Sequence, residues 1–455
     1  MRTLSRAPGG SRSAQRNALY VTVFLAQLGT AVAVPILPTL RETFDVSLTA
    51  VALTTSVWGL ARLVVDLPVG AVTNRIAPGR MLLAGILLIG SGSTVAALAP
   101  SFGVLLVGRA VAGAGSGVVA ITVIVRLIAL SEPGARGRTL AFYQGALQAG
   151  SSLSPAAAGL ASALLGWPAA FALAAVAAFA GAVAAWLTGA LRSGAPVPRA
   201  DAGPGHGRHA GRSGDAGRSE DPGHSRDGTH PGNLTEPSHR AVPSPTPGDR
   251  RPGRWRGGVG RGSSLAFSLV VVNVATFTIF FTNGGLFQNA IPLFAGIRIG
   301  LGAATIGLIL GASTLLRFAV GLIGGTLSDR YGRHMILLIG FVLLAVTTAT
   351  FPLAGGVVGF TVASLLLSGT RLGNAVSVAL LSDRVGEDQA GRWVSVNRFV
   401  GDAGLLLGPA VTGAAIDAAG FEPAFWLTAG LAATAAATVG ADQWRNRGLG
   451  RSRLA

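Results

Sequence analysis

The sequence contains neither cysteine nor lysine, so all 36 basic side chains in its 455 residues are arginine. Without cysteine there are no disulfides, no thiolate nucleophiles and no thiolate-ligated metals. Without lysine there is no Walker-type phosphate loop and no Schiff base to retinal or pyridoxal. A chain that moves a solute uphill must then draw on a gradient or on another chain. Charge is also scarce: 12% of residues are Asp, Glu, Lys or Arg, about half the ~25% of a soluble domain. Half of the residues are hydrophobic, and the mean hydropathy is +0.55.

What charge there is has a location. Residues 192–262 hold 12 of the 36 Arg and 7 of the 19 acids. They also contain 16 Gly and 10 Pro, a composition that indicates a disordered linker. Five of the six His lie there, scattered without ligand spacing, so a flexible tether is expected and a metal site is not. The other 384 residues allow 32 for each of twelve elements, room for a spanning helix of ~20 apolar residues and a short loop. Apolar runs place helices near 17–40, 47–73, 80–99, 102–129, 138–164 and 168–191. A second set falls near 264–291, 303–327, 334–354, 357–381, 393–417 and 422–441. The expected fold class is therefore an all-α integral membrane protein.

Arginine sets the orientation. Arg2, Arg6, Arg12 and Arg16 precede the first span, and Arg445, Arg447, Arg451 and Arg453 follow the last. Alternate loops carry Arg75 and Arg80, Arg136 and Arg138, Arg330 and Arg333, and Arg384 and Arg392. The opposite loops hold only Arg41 and Arg298, with Glu42, Asp45, Asp417 and Glu422. Both termini and the linker are thus expected in the cytoplasm of a multi-pass protein of the inner or plasma membrane. The net charge of +17 reads as a basic inner face rather than a nucleic-acid site.

The chain repeats itself. Arg62, Gly70, Asn74 and Arg75 align with Arg317, Gly325, Asp329 and Arg330 at an offset of 255. The offset then becomes 254 and pairs Met81 with Met335 and Gly137-Arg138 with Gly391-Arg392. It continues through Gly150 with Gly404, Pro155 with Pro409, and Gly166 with Gly420. One register over so many positions implies two six-helix halves of the same orientation, with a site expected between them near the midplane. The domain plan is a basic N-terminus (1–16), a first bundle (17–191), the linker (192–262), a second bundle (263–441) and a basic C-terminus (442–455).

Four motifs carry the chemistry. Gly325-x3-Asp329-Arg330-x-Gly332-Arg333 combines a glycine for close helix approach, a charge cluster at a helix end and a glycine for a tight turn. Its first copy has Asn74 for Asp and one extra residue before Arg80, so it lacks the negative charge. Leu105-x3-Arg109-x2-Ala112-Gly113-x-Gly115 puts an arginine ~13 Å deep at 1.5 Å per residue, where its burial needs a partner or a watery cavity. Leu28-Gly29-x5-Pro35-x2-Pro38 marks the first span. Gly150-x3-Ser154-Pro155-x3-Gly159 and Gly404-x3-Gly408-Pro409 mark the fifth and eleventh, where proline bends and small residues pack.

These motifs resemble those of the major facilitator superfamily, and the resemblance covers everything except the linker and termini. It implies twelve helices in two pseudo-symmetric six-helix bundles, with the loop motifs acting as cytoplasmic latches. The motif around Arg109 resembles that of proton-coupled members, with Ala112 where Gln is usual. The Pro35, Pro38, Gly150 and Pro155 patterns resemble those of drug:proton antiporters, with Ser154 and Ala158 where Gly is usual. The expected activity is proton-coupled efflux of a small organic molecule by alternating access. The alternatives are a symporter or uniporter importing a nutrient, and a receptor or scaffold that transports nothing. Asp66 and Asp402 are the candidate proton carriers, each with an arginine one turn away (Arg62, Arg398) that offers a structural ion pair instead. Gln27, Gln148, Asn283, Gln288, Asn289, Arg317 and Arg371 are candidates to line the path, although the repeat equivalence of Arg62 and Arg317 favours a structural role for both. No catalysis, cofactor or metal is expected. The partners are the bilayer, protons and the substrate, and the chain is expected to act as a monomer.

Overall fold

The computed structural model describes residues 12–72, 76–131, 135–191, 259–373, 380 and 387–451. Asn74, Arg75 and the linker through residue 258 lie outside the described residues. The first half contains α1 (Arg12–Leu28), α2 (Leu37–Phe44), α3 (Leu48–Val72), α4 (Pro78–Ala97), α5 (Phe102–Leu130), α6 (Arg136–Leu165) and α7 (Pro168–Leu187). The second contains α8 (Val259–Phe281), α9 (Ala303–Tyr331), α10 (Arg333–Thr350), α11 (Gly356–Gly369), α12 (Glu387–Ala419) and α13 (Phe421–Arg451). Apart from the first four residues of α8, all these helices belong to one compact unit. Among the described residues, nine helices are long and apolar enough to cross a membrane. The expected first, fifth and tenth spans fall short of that measure, each for its own reason.

The first span was expected to be continuous over 17–40, and the structure corrects this. Its helix stops at Leu28, turns through Gly29–Ala33, and resumes as a 3-10 turn (Val34–Ile36) leading into α2. Pro35 and Pro38 lack the N–H groups that a continuous helix would need, and each sits in the first positions of a new helical segment. The fifth, α6, has its full length but carries Gln144, Gln148, Ser151, Ser152 and Ser154 among its apolar residues. The tenth was expected over 357–381. Its helix ends at Gly369, followed by a 3-10 turn over Arg371–Gly373, and residues 374–379 lie outside the described set. At that point the buried Arg371 donates to a carbonyl of α8, that of Ile279, at 3.0 Å.

The seventh span runs longer than expected. Beyond α8 the chain stays helical to Arg298, with π-helical stretches at Thr282–Ala290 and Phe294–Arg298. Asn283, Gln288 and Asn289 all lie in the first stretch. Wide turns of this kind occur frequently at functional sites.

The two halves repeat in three dimensions. Gly166 and Gly420 both have positive φ, 85° and 89°. Each donates its N–H back to a helix carbonyl four residues earlier, Ser162 or Ile416, at 2.9 Å. The aromatic residues that follow seal one end of each half. Trp167 packs edge-on against Phe171 and Phe44. Phe421 and Phe425 pack likewise against Phe294. This end, remote from the chain termini, is called distal below.

Candidate functional site

The distal ends of the two halves meet through contacts that the repeat itself relates. On α6, Gly159 lies against the backbone of Ala303 and Gly307 of α9. At the equivalent place on α12, Gly413 lies against Leu48, Thr49 and Ala52 of α3. Ala303 and Gly307 are the repeat partners of Leu48 and Ala52 at offset 255. A third contact places Gly296, in the π-helical end of the seventh span, against Pro38.

Hydrogen bonds reinforce the α3–α12 contact. Ser56 donates to the Leu406 carbonyl at 2.9 Å. Asp417 accepts the Leu48 N–H at 3.0 Å, the Thr49 N–H at 2.7 Å and the Thr49 hydroxyl at 2.6 Å. Ser47 accepts the Ala50 N–H through its side chain and the Val51 N–H through its carbonyl. Three of the N–H groups that a helix start leaves without intrahelical partners, those of Leu48, Thr49 and Ala50, are thus shared between the Ser47 side chain and a carboxylate from the other half.

The proline and glycine motifs also act within each half. Gly150 brings α6 onto α1 at Phe24 and Gln27, while Gly404 and Gly408 bring α12 onto Phe277, Phe281 and Gly285 of the seventh span. Each motif helix therefore packs on its own half at one end and crosses to the other half at its distal end. Pro155 and Pro409 lie between those two contacts, inside their helices.

Ser154 explains one departure from the family pattern. Its hydroxyl donates to the Leu28 carbonyl at 2.7 Å and accepts the Ala31 N–H at 3.2 Å. Those are backbone groups freed where the first span breaks. A buried polar group left without a partner costs ~1–3 kcal/mol. Ser154→Ala is therefore expected to lower Tm by several degrees in detergent, and an unchanged melting curve would show that the break does not depend on this side chain.

Arg109 is buried on α5, with 3% of its surface exposed. Its Nε donates to the Thr54 carbonyl at 3.3 Å. Its guanidinium stands 5.9 Å from the Trp58 ring and 6.0 Å from Phe171. Arg62 lies 5.7 Å from the same Trp58 ring. Gly113 of the same motif packs on the backbone of Trp58 and Gly115 on that of Gly85, so the glycine run serves helix approach.

In the second half the polar candidates separate into two groups. Asn289 is fully buried and donates to the Pro409 carbonyl and to Thr412, both at 3.2 Å. Asn283 accepts a hydrogen bond from Arg317 at 3.1 Å. Gln288 and Asp402 are half-buried, as are Gln27 and Gln148 of the first half. Asp66 and Gly70 lie on α3, and their surroundings are outside the described residues.

At the termini end, Gly332 makes the tight turn between α9 and α10 with φ 93°. Asp329 is exposed in the last turn of α9 and makes no hydrogen bond or ion pair among the described residues, and Arg330 lies over the Tyr331 ring at 5.7 Å. Gly325 has open space around it, and Arg80 is exposed at the start of α4. The buried polar cluster at this end involves a different acid. Asp442 is 2% exposed and accepts from Ser268 at 2.7 Å, and its other oxygen lies 2.8 Å from His334 Nε2. These contacts tie α8, α10 and α13 together. Sequence patterning missed Asp442 because it lies just past the last apolar run.

The model of the Major Facilitator Superfamily matches residues 19–282 and 272–441 of the chain. Over 123 residues the chain is 30% identical to the inner membrane transport protein YajR of Escherichia coli (strain K12). That match spans 27% of this chain and 27% of the relative. Among solved structures, a bacterial homolog of the human lysosomal transporter Spinster, inward-facing and unoccupied, is similar with a TM-score of 0.67 and 14% identity. The similarity covers 95% of this chain and 96% of that one. The peptide transporter POT in complex with sulfate is similar with a TM-score of 0.71 and 13% identity, over 98% and 96% of the two chains. At these identities the solved structures establish the fold.

Proposed function

The chain belongs to the major facilitator superfamily of membrane transporters, and from that premise we propose that it exports a small organic molecule in exchange for protons. The observation that carries the alternating-access part is the repeat-related closure of α6 on α9 and α12 on α3. Two contacts between halves, equivalent in the repeat and built on glycine and on hydrogen bonds, can part together as the halves rock. The arginine distribution supports cytoplasmic termini, which makes the distal end the outer one. The absence of lysine removes the Walker-type route to ATP, which leaves a gradient or another chain as the energy source; exchange for protons uses the gradient. Export rests on the Leu28–Pro38 and Gly150–Gly159 patterns. Proton-driven accumulation of a dye or drug in inverted vesicles tests it, and accumulation only in right-side-out vesicles would assign import.

Asp402 on α12 and Asp66 on α3 are the proposed proton carriers, with Arg109 as the buried cation that biases the two states. Asp402→Asn is expected to retain downhill flux and to lose proton-driven accumulation at least tenfold. Arg109→Ala is expected to impair both. Should either variant, expressed at the normal level, still concentrate substrate, the coupling assignment fails.

A further inference from the structure

In the second half two arginines share one aromatic ring. The guanidinium of Arg317 (α9) lies 4.2 Å from the centre of the Phe287 ring, and that of Arg371, just after α11, lies 4.8 Å from it. Arg317 donates to Asn283 at 3.1 Å and to Thr314 at 2.7 Å. Arg371, 3% exposed, donates to the Ile279 carbonyl at 3.0 Å. All of these acceptors are neutral, and among the described residues neither arginine pairs with a carboxylate. Three guanidinium nitrogens, Arg317 Nε and Arg371 Nε and Nη2, are buried with no acceptor.

An arginine at the centre of a spanning helix is costly even on insertion scales, and two close cations also repel each other. A ring face attracts a desolvated cation, but it fills none of the empty N–H positions. The missing partner is an acceptor with negative charge and two oxygens, which matches the donor fork of arginine. Arg371 also borders a narrow cleft with Thr370, Ile279, Leu337, Phe341 and Leu344; a ligand that widens it meets apolar walls behind the charge.

We propose that the Arg317–Phe287–Arg371 cluster is a binding site for an organic carboxylate with an apolar body. The site lies wholly within the second half, and it does not depend on the direction or coupling of transport. Benzoate and hexanoate, with benzamide as the neutral control, test it by thermal unfolding of the purified full-length protein in lipid-free detergent. The two carboxylates are expected to raise Tm saturably in the wild type, and benzamide is not. Arg371→Gln and Arg317→Gln should each weaken the apparent affinity at least tenfold, with Arg371→Lys in between. Ligand-free Arg371→Gln should melt no lower than the wild type, because it removes an unpaired buried charge and keeps a donor. If Arg371→Gln does not fold, Arg317→Gln and Phe287→Leu give the same reading. The proposal is overturned if carboxylates do not protect the wild type or protect the variants equally. It is also overturned if benzamide protects as well, or if only phosphatidylglycerol does. Binding is read here without flux, so a failure at this site is distinguishable from a failure of the export reading.

Discussion

Gly307→Leu is expected to leave the protein folded and inserted yet to reduce transport at least a hundredfold by preventing closure of the distal end. At this position a side chain would meet the Pro155 carbonyl and the Cα of Gly159 across the interface between halves. Backbone cannot rotate out of the way as a side chain can, so α6 and α9 must separate. Overpacking a well-fitted contact costs ~1–3 kcal/mol, and a clash with backbone belongs at the upper end. About 3 kcal/mol corresponds to a shift of ~100-fold between the two states. The distal-open state lacks the contact and is spared, so the substitution changes the balance of states more than the stability of either half. The absence of cysteine allows a direct readout. Ser56 is 3% exposed at the α3–α12 contact, and a Ser56→Cys reporter should react with an impermeant maleimide at least tenfold faster in the Gly307→Leu background. Unchanged labelling together with normal flux would remove α6–α9 packing from the gate.

Asp417→Ala is expected to act in the same direction through electrostatics. The carboxylate holds two backbone N–H groups and a hydroxyl at the start of α3, where the helix dipole also favours negative charge. Charge-assisted bonds of this kind are worth ~1.5–3 kcal/mol each in buried settings, and less here because Asp417 is exposed. A net loss of ~1–2 kcal/mol gives a 5- to 30-fold shift toward the distal-open state. Asp417→Asn retains one acceptor oxygen and should fall between the two. The same Ser56→Cys labelling measures both variants, and equal rates in Asp417→Ala and the parent would show that this cap does not contribute to closure.

The two sites differ in how visible they are in the sequence. The Gly150–Gly159 and Gly404–Pro409 motifs are legible because small residues beside proline at a constant offset have few uses other than close packing. Their partners on α3 and α9 are not legible, since Leu48, Ala52, Ala303 and Gly307 look like any apolar helix surface. Asp417 reads only as an acidic residue in a loop poor in arginine, because the helix start it caps lies 369 positions away in the chain. Ser154 reads as an imperfect copy of a glycine pattern until the broken first span supplies the two backbone groups that it satisfies. Arg371 falls where a span was expected to continue. Neither periodicity nor repeat symmetry could indicate that it shares a ring with Arg317.

The sequence by itself determined the solvent of this protein, its helical class, its repeat and its excess of arginine at one end. These follow from composition and period, which act locally and need no knowledge of what touches what. Tertiary structure alone decided which end is closed, which acid caps a helix of the other half, and which buried arginines are left without a counter-charge. Those outcomes depend on distances between residues far apart in the chain. The missing lysine illustrates the division: its absence narrows the energy source from sequence alone, while what the arginines in its place require depends on which carbonyls, rings and carboxylates the fold brings to them.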